Sequence, residues 1–202
     1  MNEIDWAQKY RPTNIDEVIL PLDTKGKLIN IVKNKGGMSL LFWGRPGCGK
    51  TTVARMINPA TTMNFPCISG RPMVAIKKLE ETGNTFTLSG ERRIVILDEA
   101  ENLSKEVQIA LRSLIEDLSV TTDFVMTAND PNGIAEALRS RCFPVHFNLN
   151  DNQECLVQTR SRLIEIARIE GKINCENSVD KALSNSYPDI RRVLKQLQFS
   201  LT

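Results

Sequence analysis

A chain of 202 residues with 41% hydrophobic and 25% charged side chains can bury a core and shows no bias toward disorder or low complexity. Its 26 basic and 24 acidic side chains leave a net charge of only +2, which excludes a whole-molecule field that would demand nucleic acid. Contact with DNA would have to come from a local patch, or from several copies adding their patches.

The first element, MSLLFW (38–43), is a short apolar run ending at Gly44, the pattern of a buried strand. TVARMIN (52–58) reads as a helix stopped by Pro59. FPCIS (65–69) is a candidate second strand, which Pro66 confines to an edge or a strand start. RIVILD (93–98) is the clearest strand, apolar throughout and β-branched, and TDFVMTAN (122–129) and PVHFNL (144–149) supply two more. Between them LSKEVQIALRSLIEDL (103–118) reads as a helix capped by Ser104, with Val107, Ala110, Leu111, Leu114 and Leu118 on one face. Strands alternating with helices predict an α/β fold whose mostly parallel sheet is covered on both sides. After Leu149 the pattern turns helical: 151–171, closed by Gly171, then 177–187 and 189–201. The expected organisation is an α/β nucleotide-binding domain over 1–150 and a small three-helix domain over 151–202.

GRPGCGKT, Gly44 to Thr51, satisfies G-x-x-x-x-G-K-[ST] between a predicted strand and a predicted helix, the context a phosphate-binding P-loop requires. Its glycines let backbone N–H groups curl around phosphate oxygens, and the helix N-terminus adds partial positive charge. Gly44, Pro46, Gly47, Cys48 and Gly49 are the candidate loop residues. Lys50 would reach the terminal phosphates of ATP, and the Thr51 hydroxyl would take one position on Mg²⁺. Thr52 completes the candidate set from a position better suited to packing or capping.

Downstream, IVILDEAENL delivers Asp98 and Glu99 at the C-terminal end of an apolar strand, where open parallel sheets bind ligands. Asp98 would hold Mg²⁺, directly or through water, and Glu99 would act on an attacking water as general base. Asn129 ends the next strand on the same rim, where an amide can hold that water or touch the terminal phosphate; alone, it is equally a turn residue.

The five cysteines, Cys48, Cys67, Cys142, Cys155 and Cys175, form no Cys-x-x-Cys and share the chain with a single histidine, which points away from zinc and toward reduced thiols. No apolar run approaches a membrane span and the N-terminus has no signal-peptide core. A soluble protein is expected, without membrane contact, in the cytoplasm or at the nucleoid (the host cytoplasm for a viral protein).

The order KYRP (9–12), GRPGCGKT, ILDEAENL, TAN (127–129), SRC (140–142) and DIRR (189–192) resembles the AAA+ ATPase subunits of sliding-clamp loaders. It looks most like the replication-factor-C small-subunit type and its T4-like phage counterpart, from about Trp6 to Gln198. The resemblance implies a P-loop AAA+ core followed by a helical lid, with ATP and Mg²⁺ as cofactors. It places Tyr10, Arg11 and Pro12 against the adenine, with Ile15 and Val18 nearby. It makes Asn129 the sensor-1 residue and Arg191 a sensor-2 arginine reaching from the lid to the phosphates. It makes Arg141 a finger supplied in trans to the neighbouring subunit's ATP, and leaves Arg139 structural. Gln108, Arg112 and Glu116 form a polar face on a helix the family uses to pass signals, or a plain charged surface stripe. Arg71, Lys77 and Lys78 are candidate DNA contacts, or a solvated basic helix. The implied partners are other AAA+ subunits, a sliding clamp and primer–template DNA.

Two departures accompany the resemblance. Such subunits continue into a helical collar, whereas this chain stops at Thr202; and the stretch between Pro59 and Gly90 is short, with CISGR a loose match. The leading reading is an ATPase loading a sliding clamp on primed DNA. The alternatives are another AAA+ machine, such as a helicase loader or recombination motor, and an adaptor that binds ATP to assemble but barely hydrolyses it. Glu99 and Arg141 argue against the adaptor, because binding alone needs neither.

Overall fold

Five parallel strands, β1 (Leu40–Trp43), β2 (Thr62–Phe65), β3 (Arg93–Leu97), β4 (Thr122–Ala128) and β5 (Phe143–His146), lie side by side in the order β2–β3–β4–β1–β5. They belong to a computed structural model that describes residues 4–65, 67, 72–85, 87–150 and 152–201. Successive side chains of a strand point to opposite faces, and here both faces are apolar. Leu41, Val95, Leu97, Phe124 and Met126 enter one core, whereas Leu40, Phe42, Ile94, Ile96 and Val125 enter the other. That two-sided burial is why RIVIL and TDFVMTA read as continuous runs rather than as alternation.

The first face is covered by α4 (Pro72–Gly83), α5 (Lys105–Asp117) and the short α6 (Glu136–Arg139), through Ile76, Leu79, Val107, Leu111, Leu114 and Leu138. The second is covered by α2 (Leu22–Lys33) and α3 (Lys50–Ala54), through Leu28, Ile31, Val53 and Ala54. Ser104 caps α5, its hydroxyl accepting from the Val107 amide at 3.5 Å, the outer limit of a hydrogen bond. Gln108, expected on an exposed polar face of this helix, is buried instead. Its amide nitrogen donates to Leu103 O and Gly133 O, and its carbonyl accepts from Ala135 N at 2.7 Å. It thus ties α5 to the loop that precedes α6, while Arg112 and Glu116 stay exposed.

The second strand lies earlier than expected. β2 ends at Phe65, paired in register with Leu97, and positions 66, 68 and 69 of the expected strand fall outside the described residues. An edge strand with one covered neighbour can be partly polar, and Thr62 and Asn64 flank Met63, so no apolar run marks it.

The C-terminal helices α7 (Gln153–Ile169), α8 (Glu176–Ser186) and α9 (Ile190–Leu201) form a third core around Leu163, Ile166, Val179, Leu183, Val193 and Leu197. The N-terminal helix α1 (Trp6–Lys9) joins this core through Trp6, 5% exposed, rather than the sheet. Polar contacts fix it there: Trp6 N donates to the Gln198 side chain at 2.9 Å, and Lys9 reaches Glu170 at 2.6 Å. The Tyr10 hydroxyl also donates to Glu170. Tyr187 bridges the helical core to the sheet, donating to Leu149 O at 2.8 Å.

At the N-terminal end of the sheet a buried carboxylate organises two loops. Asp123, 1% exposed, accepts from Arg92 and from Gly37 N at 2.7 Å. Gly36 lies against it at φ +101, where a Cβ would stand 2.7 Å from Asp123 Oδ2, so the turn closes only around a glycine. Asp123→Ala leaves the Arg92 guanidinium without its counter-ion and should lower stability by about 3 kcal/mol. Urea denaturation monitored by circular dichroism checks this, with Leu118→Ala as a purely apolar reference.

Candidate functional site

A cavity of about 330 Å³ opens where the C-terminal ends of β1, β3 and β4 meet the helical core. It lies beside the point where the strand order jumps, since β4 and β5 are consecutive in sequence but flank β1 in space. The loop after β1 forms its floor. Gly47 and Gly49 have φ of +72 and +99, conformations that turn the loop back on itself before α3 begins at Lys50.

Lys50 is 8% exposed and folded into the loop it follows. Its ammonium donates to Gly44 O at 2.7 Å, Arg45 O at 2.9 Å and Asn129 Oδ1 at 3.1 Å. No ion-pair partner is recorded for it among the described residues. Burial pushes the Cys48 thiol up, against the pull of Lys50, so this loop cysteine packs as a small apolar group. Gly44 lies behind the loop: its N–H continues the sheet to Ala128 O at 3.2 Å, and a Cβ there would stand 2.5 Å from Phe147 O.

Asp98 is held between two hydroxyls, Thr51 Oγ1 and Thr127 Oγ1, each donating to Oδ1 at 2.6 Å. Thr127 also accepts from the Glu99 amide at 3.0 Å, so one side chain of β4 fixes both carboxylate residues that follow β3. Sequence reasoning passed over Thr127; the available signal was a polar residue directly after the apolar run Phe124–Met126. Glu99 adopts φ +56, a left-handed conformation that a residue with a Cβ holds only when its surroundings enforce it. Its exposed carboxylate accepts from Asn102 at 3.3 Å. Thr51 and Asp98 are hard oxygen donors of the kind Mg²⁺ takes, and the rest of an octahedron would come from water and ligand oxygens.

The opposite wall carries positive charge. Arg11 and Arg191 line the cavity, and neither forms a recorded ion pair among the described residues. Burial, then the neighbouring Arg55 and Arg191, push the Arg11 pKa down, with Asp98 opposing. Arg191 reaches the cavity because α9 is seated on the loop: a Cβ at Gly47 would stand 1.8 Å from Asp189 Oδ1. Asp189 in turn accepts from the Arg192 amide at 3.0 Å, starting the helix.

The cavity thus brings together Tyr10, Arg11, Pro12, Val18, Pro46, Gly47, Cys48, Gly49, Lys50, Thr51, Thr52, Asp98, Glu99, Asn129 and Arg191. Ile15 is instead packed in the core behind it. Sequence reasoning missed Thr159, Arg162, Leu163 and Leu194, which α7 and α9 contribute. They were invisible because amphipathic helices do not announce which part of their inner face lies over a cavity.

Arg141 lies elsewhere. It precedes β5, at the N-terminal edge of the sheet, whereas the loop after β1 leaves the C-terminal edge of the parallel neighbour. Its guanidinium pairs with Glu116. Arg139 is half-buried, and its Nε has no hydrogen-bond partner among the described residues. Lys77 and Lys78 are exposed on α4, and Arg71 lies outside the described residues.

Comparison with known proteins follows the same lines. The family model of AAA, the ATPase family associated with various cellular activities, matches residues 40–150. The chain is 30% identical over 210 residues to replication factor C small subunit 2 of Pyrobaculum islandicum, covering 99% of this chain and 64% of the relative. It is 32% identical over 207 residues to the replication factor C small subunit of Staphylothermus marinus, covering 97% and 61%. The chain therefore spans less than two thirds of the length of either relative. Solved structures of Thermotoga maritima RuvB variants share the fold at 20% identity, one with a TM-score of 0.63 over 94% of this chain and 72% of the other. The matched residues include the loop after β1 and the paired carboxylates after β3: the chain belongs to the AAA family of ATPases.

Proposed function

We propose that this chain binds and hydrolyses ATP as one subunit of a clamp loader, acting beside other AAA+ subunits to place a sliding clamp on primed DNA. The observation that carries the nucleotide reading is the buried, carbonyl-held ammonium of Lys50 in the same cavity as the Thr51–Asp98 oxygen pair. A cation removed from water without a counter-ion is stabilised when an anion enters, and a polyphosphate is the anion this loop geometry fits. The clamp-loader reading rests on alignment with replication factor C small subunits along nearly the whole chain.

In this reading Lys50 and the amides of the 44–51 loop hold the β- and γ-phosphates. Arg191, seated over the loop by Asp189, meets the same charge from the helical side. Tyr10, Arg11, Pro12 and Val18 wall the base. Thr51 and Asp98 hold Mg²⁺, which when bound neutralises charge on the phosphate oxygens. Glu99 takes the proton of the attacking water, and Asn129, tied to Lys50, orients that water or the terminal phosphate. The division into an α/β domain (1–150) and a helical lid (151–202) belongs to this proposal, with α1 moving with the lid.

Arg141 completes the scheme from outside. It sits at the edge of the sheet opposite to its own phosphate loop, so the triphosphate it serves is a neighbour's. Lys77 and Lys78, with Arg71, are assigned to the DNA backbone. Among the described residues no helix is long and apolar enough to cross a membrane, which suits action in the cytoplasm or at the nucleoid.

Four measurements test the assignment. ATP with Mg²⁺ at a hundredfold excess over Kd should stabilise the wild type by about 2.7 kcal/mol in thermal unfolding, and Lys50→Ala should abolish the gain. Glu99→Gln should keep that gain and lose turnover by about 10² to 10⁴ in a phosphate-release assay; undiminished turnover removes the general-base role. Arg141→Ala should keep nucleotide affinity and lose the rise of specific activity with protein concentration, an effect of about 10³ to 10⁵ at saturation. Stimulation by primer–template and a replication clamp, absent with either alone, separates clamp loading from other AAA+ work.

A further inference from the structure

The contact between Arg141 and Glu116 was anticipated by nothing in the sequence reading, which left Glu116 on a signalling face or a plain surface stripe. A guanidinium has five N–H donors. In this chain Nε and one terminal nitrogen of Arg141 point to the same Glu116 oxygen. The other terminal nitrogen donates to Ala137 O at 2.7 Å and Ser140 Oγ at 3.3 Å. Three of the five donors, one from Nε and two from the second terminal nitrogen, are engaged in hydrogen bonds, while the first terminal nitrogen stands in ion-pair contact with Glu116. The pair stands at the mouth of a cleft of about 400 Å³ shared with Arg92 and Asp123, with the Arg141 side chain 26% exposed and that of Glu116 49% exposed.

A finger that neutralises a triphosphate must present its fork of donors to phosphate oxygens. Arg141 cannot do so while those donors are filled from within its own chain. Glu116 is an anion competing for the same guanidinium, and it is exposed enough to let go without leaving a buried charge behind. The backbone carbonyl of Ala137 and the Ser140 hydroxyl belong to the same turn as Arg141 and follow its backbone; Glu116 alone comes from a different element, α5.

We propose that Glu116 is a positioning residue that latches Arg141 in the isolated protomer and releases it only when a neighbour's bound triphosphate outcompetes the carboxylate. The inference rests on the trans role of Arg141 proposed above. Glu116 touches no nucleotide and acts only through Arg141, so its effect must disappear when that arginine is removed.

The test is a double-mutant cycle read as specific ATPase activity against protein concentration. Glu116→Gln preserves shape and removes the competing charge. It should lower the concentration giving half-maximal activity by about two- to fivefold, the range an exposed ion pair allows, with the plateau unchanged. In an Arg141→Ala background the same substitution should shift nothing. An unchanged or raised half-maximal concentration in Glu116→Gln, or an equal shift in both backgrounds, overturns the latch while leaving the trans finger standing. If the wild type shows no dependence on concentration and Arg141→Ala is silent, both ideas fall together. A readout independent of turnover is the exchange of the Arg141 Nε–H with water, followed by NMR on the dilute wild-type chain. It should be slowed in the wild type and accelerated in Glu116→Gln; equal rates remove the latch.

Discussion

The ammonium of Lys50 is the charge around which this molecule is arranged. Burying a cation is costly unless polar groups replace the water it loses, and here two loop carbonyls and the Asn129 amide do so without cancelling the charge. The carbonyls come from the loop itself, and the amide comes from the end of the adjacent strand. The loop can hold them in place only because β1 lies beside β4, in register from Leu40 with Val125 to Trp43 with Ala128. Strand order therefore decides whether the charge is tolerated, and the tolerated charge decides what enters the cavity.

Carboxylate and hydroxyl groups complete the arrangement from the next strand over. Asp98 accepts hydrogen bonds from two hydroxyls, and Thr127 accepts from the Glu99 amide as well. The two acids are thereby held apart in role: one is fixed in a hydrogen-bonded bracket, and the other is exposed on a left-handed residue. The same β4 residue that defines this bracket is buried within a seven-residue strand with no exposed position. Packing and chemistry are set by one piece of backbone.

Much of this was legible because P-loop chemistry is local in sequence. Eight contiguous residues, Gly44 to Thr51, spell the loop, and the apolar run before Asp98 announces both a strand and its ligand-bearing end. What stayed hidden depends on contacts between distant segments. Gln108 looked like surface because its spacing matched Arg112 and Glu116, yet the loop before α6 folds over it and takes up one of its donors and its carbonyl oxygen, with Leu103 O taking the other donor. β2 was misplaced because an edge strand need not be apolar. Trp6 carries no marker of its destination, since a single aromatic can pack on a sheet or in a helical core, and its partners lie almost two hundred positions away. The ion pair of Arg141 is of the same kind, a meeting of two elements that no local pattern records.

The anchoring of α1 to the C-terminal helices has a mechanical corollary. Among the described residues the polypeptide passes between helical core and sheet around Arg11–Pro12 and again after Leu149, and the Tyr10–Pro12 wall of the cavity belongs to the first of these places. A swing of the helices would drag that wall along, so the cavity would gape like a clamshell whose hinge is made of two parallel straps. Whatever occupies the cavity would then lose the cover of Tyr10–Pro12 and that of Arg191 in a single opening event.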